Sequence, residues 1–388
     1  MITSAAVFTR EKESVDAATD LCRQIKSIFI NQAPQVIILF ASPYYEQHVL
    51  LKNLRKEFPS AIQLGCSSAG EFTSDEAGVD SASAMAIHST DMLFNASIGK
   101  GIRDSRNGVV DQLMKSLKGS ENFKYKYHTA LILADALSGH TDEIIDKLTE
   151  RTAGLYQFFG GGAGDNANFK KTPVFYDTDV VEDAIVFLEI LSNKPLGLGV
   201  SHGWHPTGNL YRVTEVKGMV LNSLNGIPAL EVFRDHARDT GQLFDVNNPI
   251  PFFLHNVIGI KKDDGYKLRV PLAVSEDGSI VCASDIPLGG IVSIMSTKNS
   301  GSINAAENAT RKAIAQLQGN KPVIGLFFDC VATRLRLGDD FDTEIETVIT
   351  TFNDAKVVGC NTHGQVARID GQFSGFHNCT AVVCIIPE

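Results

Sequence analysis

Short apolar runs alternate with amphipathic stretches along this chain, and the alternation follows a repeated order. Residues 36–40 form a continuous apolar run, which is typical of a strand buried on both faces. A stretch with helical spacing follows at residues 48–58, and a second apolar run begins at residue 62. This order predicts a strand, a helix and a parallel strand joined by a right-handed crossover.

The same order recurs twice, at uneven intervals that indicate duplication with insertions. Each copy again has an apolar strand, a helix and a second apolar strand. The segments are 130–133, 141–152 and 156–159 in the second copy, and 323–328, 343–352 and 357–358 in the third. We therefore predict an α/β fold of mixed sheets with flanking helices, built from duplicated strand-helix-strand units.

Each copy ends in a glycine-rich turn, and the three turns have similar sequences. They are GCSSAGE at residues 65–71, GGGAGD at residues 160–165 and GCNTHGQ at residues 359–365. Glycine lets backbone N–H groups approach a ligand closely, and the acid or amide after the last glycine offers a side-chain acceptor. Because ligands favour the carboxyl ends of parallel strands, we expect the turns to converge on one site. The nucleotide-binding motifs GxGxxG and GxxxxGKT are absent at these positions.

A junction between two halves is expected near residue 225. Residues 210–220 have the pattern of a β-hairpin, and residues 225–228 then supply turn chemistry with a proline at the start of a helix. Two copies precede this point and one follows it. We predict an N-terminal domain over residues 1–225 and a C-terminal domain over residues 226–388.

Length and charge narrow the class of protein. A chain of 388 residues is long enough for two domains, and its net charge of −10 argues against general binding to nucleic acids or anionic membranes. It has no run of ~18 apolar residues, and residues 1–10 lack the features of a signal peptide. We therefore predict a cytoplasmic protein without membrane insertion. Its seven cysteines include no CxxC pair, which disfavours a disulfide framework or structural zinc.

Several motifs, in this order, resemble the FIST family of bacterial sensory modules. They lie at residues 65–71, 158–165, 203–208, 224–229, 329–334 and 359–365. The resemblance implies an N-terminal and a C-terminal half that bind a small ligand. It also implies signalling to a histidine kinase, a cyclic-di-GMP enzyme or a chemotaxis protein. In its length and its lack of other domains, the chain resembles the stand-alone branch that senses nitric oxide, which implies haem b as a cofactor.

The candidate ligand-binding residues come from the turns and from one arginine that follows the strand at 323–328. They are Cys66, Ser67, Ser68, Gly70, Glu71, Gly161, Gly162, Asp165, Arg334, Asn361, Thr362 and His363. Arg334 is expected to pair with a carboxylate of the ligand, as guanidinium groups do. Two alternatives stay open: the turns only connect strands tightly, and Arg334 forms an internal ion pair with Asp329, Asp339 or Glu344.

Three histidines are candidate metal ligands. His236 shares an apolar helix face with Ala229, Val232 and Phe233, and a neutral imidazole on such a face is the usual proximal ligand of haem iron. His202 and His205 flank the single tryptophan, but no third ligand lies nearby, so a zinc centre is not indicated. His363 in the third turn is a further source of an iron ligand. The alternative for each is a structural histidine.

These observations predict an intracellular bacterial sensor and not an enzyme. The sequence has no Ser-His-Asp order, nucleophile elbow or HExxH motif. Two other functions stay open. One is a non-haem FIST sensor of a small, amino-acid-like metabolite. The other is a cysteine-dependent enzyme that uses Cys66 or Cys360, although such chemistry needs a base that the sequence does not identify.

Overall fold

The computed structural model describes residues 1–119, 124–263, 265–369 and 372–388, and of residues 372–374 it describes the backbone only. The architecture is α/β, with mixed sheets flanked by helices, which confirms the predicted fold class. Three units of the same topology follow one another along the chain. The third unit is interrupted by a long insertion, which forms a separate sheet.

Unit 1 spans residues 2–89. Its elements are β1 (Ile2–Thr9), α1 (Ser14–Ile28), β2 (Val36–Ala41), α2 (Gln47–Glu57), β3 (Ile62–Ser67), β4 (Glu71–Thr73), β5 (Ala77–Gly78) and β6 (Ala82–Ser89). Strands β2 and β3 are parallel, as the two apolar runs predict. Both helices bury their apolar faces against one side of the sheet, for example through Leu21 and Leu50.

Unit 2 spans residues 92–192 and repeats this order. Its elements are β7 (Met92–Lys100), α3 (Arg106–Met114), β8 (Tyr127–Ala134), α4 (Thr141–Arg151), β9 (Tyr156–Gly162), β10 (Val174–Tyr176), β11 (Asp179–Val181) and β12 (Ala184–Ser192). Strands β8 and β9 are its parallel pair. Unit 3 begins with β13 (Gly197–Ser201) and continues after the insertion.

The insertion covers residues 205–296. Its elements are β14 (His205–Pro206), β15 (Tyr211–Lys217), β16 (Val220–Leu224), β17 (Ile227–Pro228), α5 (Ala229–Thr240), α6 (Ile250–Phe253), β18 (Val257–Lys262), β19 (Gly265–Arg269), β20 (Pro271–Val274), β21 (Ile280–Cys282) and β22 (Ile291–Ser296). Its strands form one antiparallel sheet, and its side chains form a core of their own around Phe233 and Phe253.

The rest of unit 3 repeats the order of the first two units. Its elements are α7 (Asn299–Ala315), β23 (Pro322–Cys330), α8 (Val331–Leu337), α9 (Phe341–Phe352), β24 (Lys356–Thr362), β25 (Gln365–Ile369), β26 (Gln372–His377) and β27 (Ala381–Pro387). Helix α8 has no counterpart in the sequence predictions. It follows β23 without a loop, because Cys330 is both the last strand residue and the N-cap of the helix.

The three units exchange hairpins in a closed cycle. Their own strands pair in equivalent orders, β1-β6-β2-β3, β7-β12-β8-β9 and β13-β27-β23-β24. The hairpin after each glycine turn then extends the sheet of another unit: β4 pairs with β24, β10 with β3, and β25 with β9. Each six-stranded sheet therefore contains strands of two units. We expect the three units to unfold together, because each sheet needs a hairpin from a neighbouring unit.

The three sheets share one central core. Phe40 of β2, Phe159 of β9 and Phe328 of β23 meet there, with ring centroids 5.7 Å apart for Phe40 and Phe328 and 6.2 Å apart for Phe159 and Phe328. All three rings are fully buried. The helices cover the opposite face of each sheet. The strands are therefore buried on both faces, which explains their continuous apolar runs.

The predicted junction at residue 225 lies inside the insertion. Asn225 and Gly226 both have positive φ, 52° and 78°, and form the two-residue hairpin turn between β16 and β17. Helix α5 begins immediately after Pro228, as the turn chemistry predicts. The division into residues 1–225 and 226–388 stays a prediction, and β13 on one side of it pairs with β27 on the other. No helix in the described ranges is long and apolar enough to cross a membrane.

Candidate functional site

One glycine in each unit lets the second parallel strand lie against the first. Gly65, Gly160 and Gly359 occupy the same position in β3, β9 and β24. A Cβ atom there would lie 1.9, 2.0 or 2.1 Å from a carbonyl oxygen of the adjacent strand, that of Leu39, Ile132 or Phe327. No side chain fits at these distances. This steric requirement explains why all three turns begin with glycine.

The three turns hydrogen-bond directly to one another, so the structure brings the predicted site residues together. Each turn contacts both of the others through its backbone. The bonds are Ala69 N–H to Asn361 O (2.9 Å), Asn361 N–H to Gly70 O (2.8 Å), Gly164 N–H to Ser67 O (2.8 Å), His363 N–H to Gly162 O (3.0 Å) and Gly162 N–H to Gly364 O (2.8 Å). Several of the N–H groups that the sequence suggests for ligand binding thus bond within the protein.

The hydroxyl and thiol groups of the turns are also engaged inside the protein. The Ser67 hydroxyl donates to Gly164 O at 2.6 Å, and the Thr362 hydroxyl donates to Asp329 O at 3.1 Å. Cys66 and Cys360 are buried, and their thiols face each other. Burial and the neighbouring Cys66 thiol raise the pKa of Cys360. The nearby carboxyl group of Glu71 also acts to raise the pKa of Cys360.

Glu71 is a buried carboxyl group at the end of the first turn. It is 1% exposed, and it accepts hydrogen bonds from the hydroxyls of Ser68 and Ser81. Burial raises the pKa of Glu71 to about 7, although the two hydroxyls and Arg334 act in the opposite direction. In the unfolded chain a glutamate has a pKa of about 4.3. The folded state therefore binds the proton more tightly than the unfolded state does.

This difference predicts a pH-dependent loss of stability that Glu71→Gln removes. In the wild type, ionisation of Glu71 favours the unfolded chain as the pH rises from about 4 to about 7. We expect the variant to gain about 2 to 3 kcal/mol relative to the wild type between pH 5 and pH 8. Urea unfolding at both pH values measures this. Glu76→Gln in the exposed loop is the control, and an unchanged pH dependence in Glu71→Gln would contradict the prediction.

Arg334 and Asn361 form a polar corner above Gly70. The Arg334 guanidinium donates to Ala69 O, and the Asn361 Oδ1 atom lies 2.8 Å from the position of a Cβ atom on Gly70. Asn361 is fully buried, yet neither atom of its amide has a hydrogen-bond partner among the described residues. In the described ranges no close ion pair joins Arg334 to Asp329, Asp339 or Glu344, and the acids whose charges act on it are Glu71, Asp342 and Asp80. The Asn361 amide is therefore the group of this corner without a hydrogen-bond partner in the described structure.

A cleft of about 570 Å³ lies between the turns and the insertion. Its lining is apolar apart from His363. The core contributes Ala136, Leu137, Ala167, Phe169, Val331, Ala332, Leu335 and His363, and the insertion contributes Met219, Ile250, Phe253, Leu254, Val270, Pro271, Leu272, Val281, Cys282 and Ala283. Its size and lining are those of a site for a small organic ligand.

His363 presents a neutral imidazole to this cleft. The ring is 6% exposed and stacks on Phe169 with a centroid distance of 4.5 Å. Its Nε2 atom lies 3.4 Å from Asp165 Oδ1, and neither ring nitrogen has a hydrogen bond among the described residues. Burial lowers the pKa of His363 to about 4, although Asp165 opposes this. The ring is therefore uncharged at neutral pH.

Asp165 positions the loop that carries Phe169. Its carboxylate accepts hydrogen bonds from the backbone N–H groups of Phe169 (2.9 Å), Lys170 (2.6 Å) and Lys171 (3.0 Å). Gly161 and Gly162 lie beside the third turn, where a Cβ atom on Gly161 would meet Thr362 at 2.8 Å. These three predicted residues thus shape the site through backbone contacts.

The other predicted histidines lie away from the cleft. His236 is on α5, where its Nε2 atom pairs with Asn256 Oδ1 at 2.9 Å. His202 is partly buried and pairs through Nε2 with Tyr266 O at 2.9 Å, and His205 is exposed on β14. No group of three or more His, Cys, Asp or Glu residues suited to a metal ion occurs in the described part of the chain. The role of these histidines as iron ligands stays a prediction.

Sequence reasoning missed the cleft because its two walls are far apart in the chain. The wall from the insertion includes the apolar segment Val270–Leu272, which the pattern marks only as a short strand. The wall from α8 was missed because that helix was not predicted. The one available signal was the third turn itself, where His363 stands in place of a small residue.

Comparison of the sequence with known proteins identifies two family domains that follow one another along the chain. A model of the FIST N domain matches residues 35–227, and a model of the FIST C domain matches residues 229–368. An uncharacterized protein of Methanocaldococcus jannaschii is 25% identical over 287 residues, which are 69% of this chain and 53% of that protein. An uncharacterized protein of Mycobacterium tuberculosis is 23% identical over 263 residues, which are 66% of this chain and 68% of that protein. The chain thus spans about half of the Methanocaldococcus relative.

Proposed function

The chain belongs to the FIST family of sensory domains, and from this premise we propose that it senses a small ligand held in the cleft between the three turns and the insertion. One observation carries the proposal: an apolar cleft meets the central turns at a single neutral imidazole, His363. Such a site binds a largely apolar ligand and fixes its orientation at one polar point. Ligand binding here would alter the contact between the insertion and the core, which a partner protein could recognise.

Haem b is the ligand that we propose first, and the apolar lining with its single imidazole supports this choice. Haem needs one strong nitrogen donor in a dry pocket, which His363 would supply. Asp165 lies beside that ring in the manner of an outer-shell carboxylate, which orients a ligating histidine. Phe169 and Leu272 would contact the macrocycle. When bound, the haem would supply an iron atom that takes up nitric oxide.

A visible spectrum tests the haem proposal. We expect the full chain, expressed with added haem, to show a sharp Soret band that shifts with nitric oxide. His363→Ala should abolish the band or reduce it at least about tenfold, because the variant lacks the imidazole that would hold the iron. His236→Ala is the matched control and should leave the band unchanged. A folded wild-type protein without a band would overturn the proposal. Loss of the band only in His236→Ala would mean that His236 of α5, and not His363, binds the iron.

A second candidate is a non-haem sensor of a small metabolite with a carboxylate group, such as an amino acid. The observation that favours it is the polar corner, where the Arg334 guanidinium and the Asn361 amide both lie beside Gly70 and the amide has no hydrogen-bond partner in the described ranges. A guanidinium group and an amide together recognise a carboxylate well.

Thermal-shift screening against amino acids tests the second candidate. We expect Arg334→Ala to lose about tenfold or more in affinity for the metabolite while its melting temperature without ligand stays close to that of the wild type. Arg311→Ala, at an exposed arginine that pairs with Glu307, is the control. A metabolite that binds both variants equally would contradict this role of Arg334.

The setting of the sensor is also part of the proposal. We propose a cytoplasmic, non-enzymatic protein that signals to a histidine kinase or a cyclic-di-GMP enzyme, as the family resemblance implies. Support comes from the sensory role of FIST domains. The autophosphorylation rate of a candidate kinase, measured with the ligand-free and the ligand-bound chain, would identify the partner.

A further inference from the structure

Two cysteines from distant parts of the chain meet beside the cleft. Cys330 ends β23, and Cys379 lies in the turn between β26 and β27. Both are buried and belong to one side-chain cluster with Trp204 and Val270. We propose that Cys330 and Cys379 are a redox-reactive pair, in which a hydroperoxide oxidises Cys330 and Cys379 then closes a reversible disulfide. Nothing in the proposed ligand sensing requires this pair.

The surroundings of Cys330 favour a thiolate. Its sulfur interacts with the Cys379 thiol and with the backbone N–H groups of Cys379 and Ala332. These interactions lower the pKa of Cys330 to about 6, the Cys379 thiol having the largest effect, although burial opposes them. A thiolate held by such donors is the reactive form of cysteine. The same interaction raises the pKa of Cys379, so that Cys379 keeps its proton.

The side-chain amide of Gln365 connects the backbone segments that carry the two cysteines. In the orientation that satisfies its neighbours, the Gln365 amide accepts a hydrogen bond from Cys330 N–H at 3.2 Å and donates one to Thr380 O at 3.1 Å. Gln365 therefore joins the chain at Cys330 to the residue after Cys379. Gln365 is also the last residue of the third turn, so the pair is linked to the candidate ligand site.

Cys330 is buried next to the wall of the cleft. Val331 and Ala332, which follow Cys330 directly, line the cleft. Cys282 lines the same cleft, but burial raises its pKa to about 12. Cys66 and Cys360 form a second pair of neighbouring thiols, in which the pKa of Cys360 is raised. Cys282 therefore serves as a control for access to the cleft. The pair of Cys66 and Cys360 serves as a control for the proximity of two thiols.

The chemistry balances with hydrogen peroxide as the oxidant. The Cys330 thiolate attacks one peroxide oxygen, so that an S–O bond forms, the O–O bond breaks and hydroxide leaves with the electron pair. The Cys379 sulfur then attacks the resulting sulfenic acid. The S–S bond forms and the S–O bond breaks, and the thiol proton leaves with the hydroxyl group as water. Together the two thiols give two electrons to the peroxide.

Thiol mapping of the reduced full chain tests the proposal. After treatment with hydrogen peroxide, alkylation and peptide mass analysis should show Cys330 linked to Cys379, on the order of ten times faster than any loss of the Cys66, Cys282 or Cys360 thiols. Dithiothreitol should reverse the link. In Cys379→Ser the reaction should stop at a sulfenic acid on Cys330, which dimedone traps. In Cys330→Ser dimedone should not label Cys379.

Three results would overturn the proposal. Faster oxidation of Cys282 would mean that access to the cleft alone decides reactivity. Faster linkage of Cys66 to Cys360 would mean that proximity alone decides it. No thiol loss in the folded wild type, with rapid loss after unfolding in urea, would show that both pairs are inert. The wild-type experiment needs no variant to fold, and its outcome is independent of whether haem binds.

Discussion

Replacing Gly160 with alanine should destabilise the whole protein by at least about 3 kcal/mol. Its φ is +137°, a conformation that side chains rarely adopt, and a Cβ atom would lie 2.0 Å from the carbonyl oxygen of Ile132. Gly160 also pairs with Val366 of β25, so it lies where unit 2 receives the hairpin of unit 3. The strands must separate to admit the methyl group. Urea unfolding followed by circular dichroism would measure the loss.

Two comparisons make this prediction specific. Gly208→Ala is the control, because no atom lies within 4 Å of the Cβ position there, and its stability should change by no more than about 0.5 kcal/mol. Gly65→Ala and Gly359→Ala should each destabilise the protein in a single transition that involves all three units. A Gly160→Ala protein as stable as the wild type would refute the steric argument. Separate unfolding of one unit would refute the cooperativity expected from the hairpin exchange.

Removing the carboxylate of Asp142 should destabilise the protein to a similar extent, because this carboxylate is the partner of a buried cation. Asp142 of α4 bonds to Arg269 at 2.5 Å and to Lys267 at 2.6 Å, both on β19 of the insertion. Arg269 is 2% exposed. Asp142→Asn would leave the guanidinium of Arg269 buried without a counter-charge, which costs about 3 to 5 kcal/mol of folding free energy. Because this contact joins the insertion to the core, the variant should also weaken ligand binding in the cleft.

The pH dependence gives a second test of Asp142. Burial raises its pKa, but Arg269 and Lys267 outweigh burial, and the pKa is lowered overall. Stability from this pair is therefore present above the unfolded pKa of about 3.9 and is lost as the pH falls through the lower, folded value. The acid unfolding of Asp142→Asn should lack this component. Glu307→Gln, which breaks an exposed pair with Arg311, is the control and should change stability by less than about 1 kcal/mol.

Much of the fold was predictable because local patterns specify it. The apolar runs at 36–40, 130–133 and 323–328 predict strands that the structure confirms as β2, β8 and β23. Asn225 and Gly226 predict their turn, since both residues tolerate positive φ. Helix α8 was missed because it starts directly at the end of β23, with no loop or capping serine, threonine, asparagine or aspartate to mark its beginning.

The candidate site was only partly predictable. The glycine turns indicate where the three strands end, and the structure brings all three turns into contact. The sequence could not show that their N–H groups bond to one another, because that depends on pairing between units. The Cys330 and Cys379 pair was missed for the same reason, since the two residues lie on different elements.

The sequence by itself determined the three units, the glycine in the second parallel strand of each unit, and the family. The periodicity of apolar residues and the composition are local properties of the sequence. A glycine that no other residue can replace recurs in every copy. Only the tertiary structure decided which unit receives each hairpin, and that an insertion closes a cleft over His363. These arrangements depend on contacts between residues up to several hundred positions apart, such as Arg334 with Ala69. No local pattern encodes such distances, because the free energy of these contacts arises only when the three sheets and the insertion pack together.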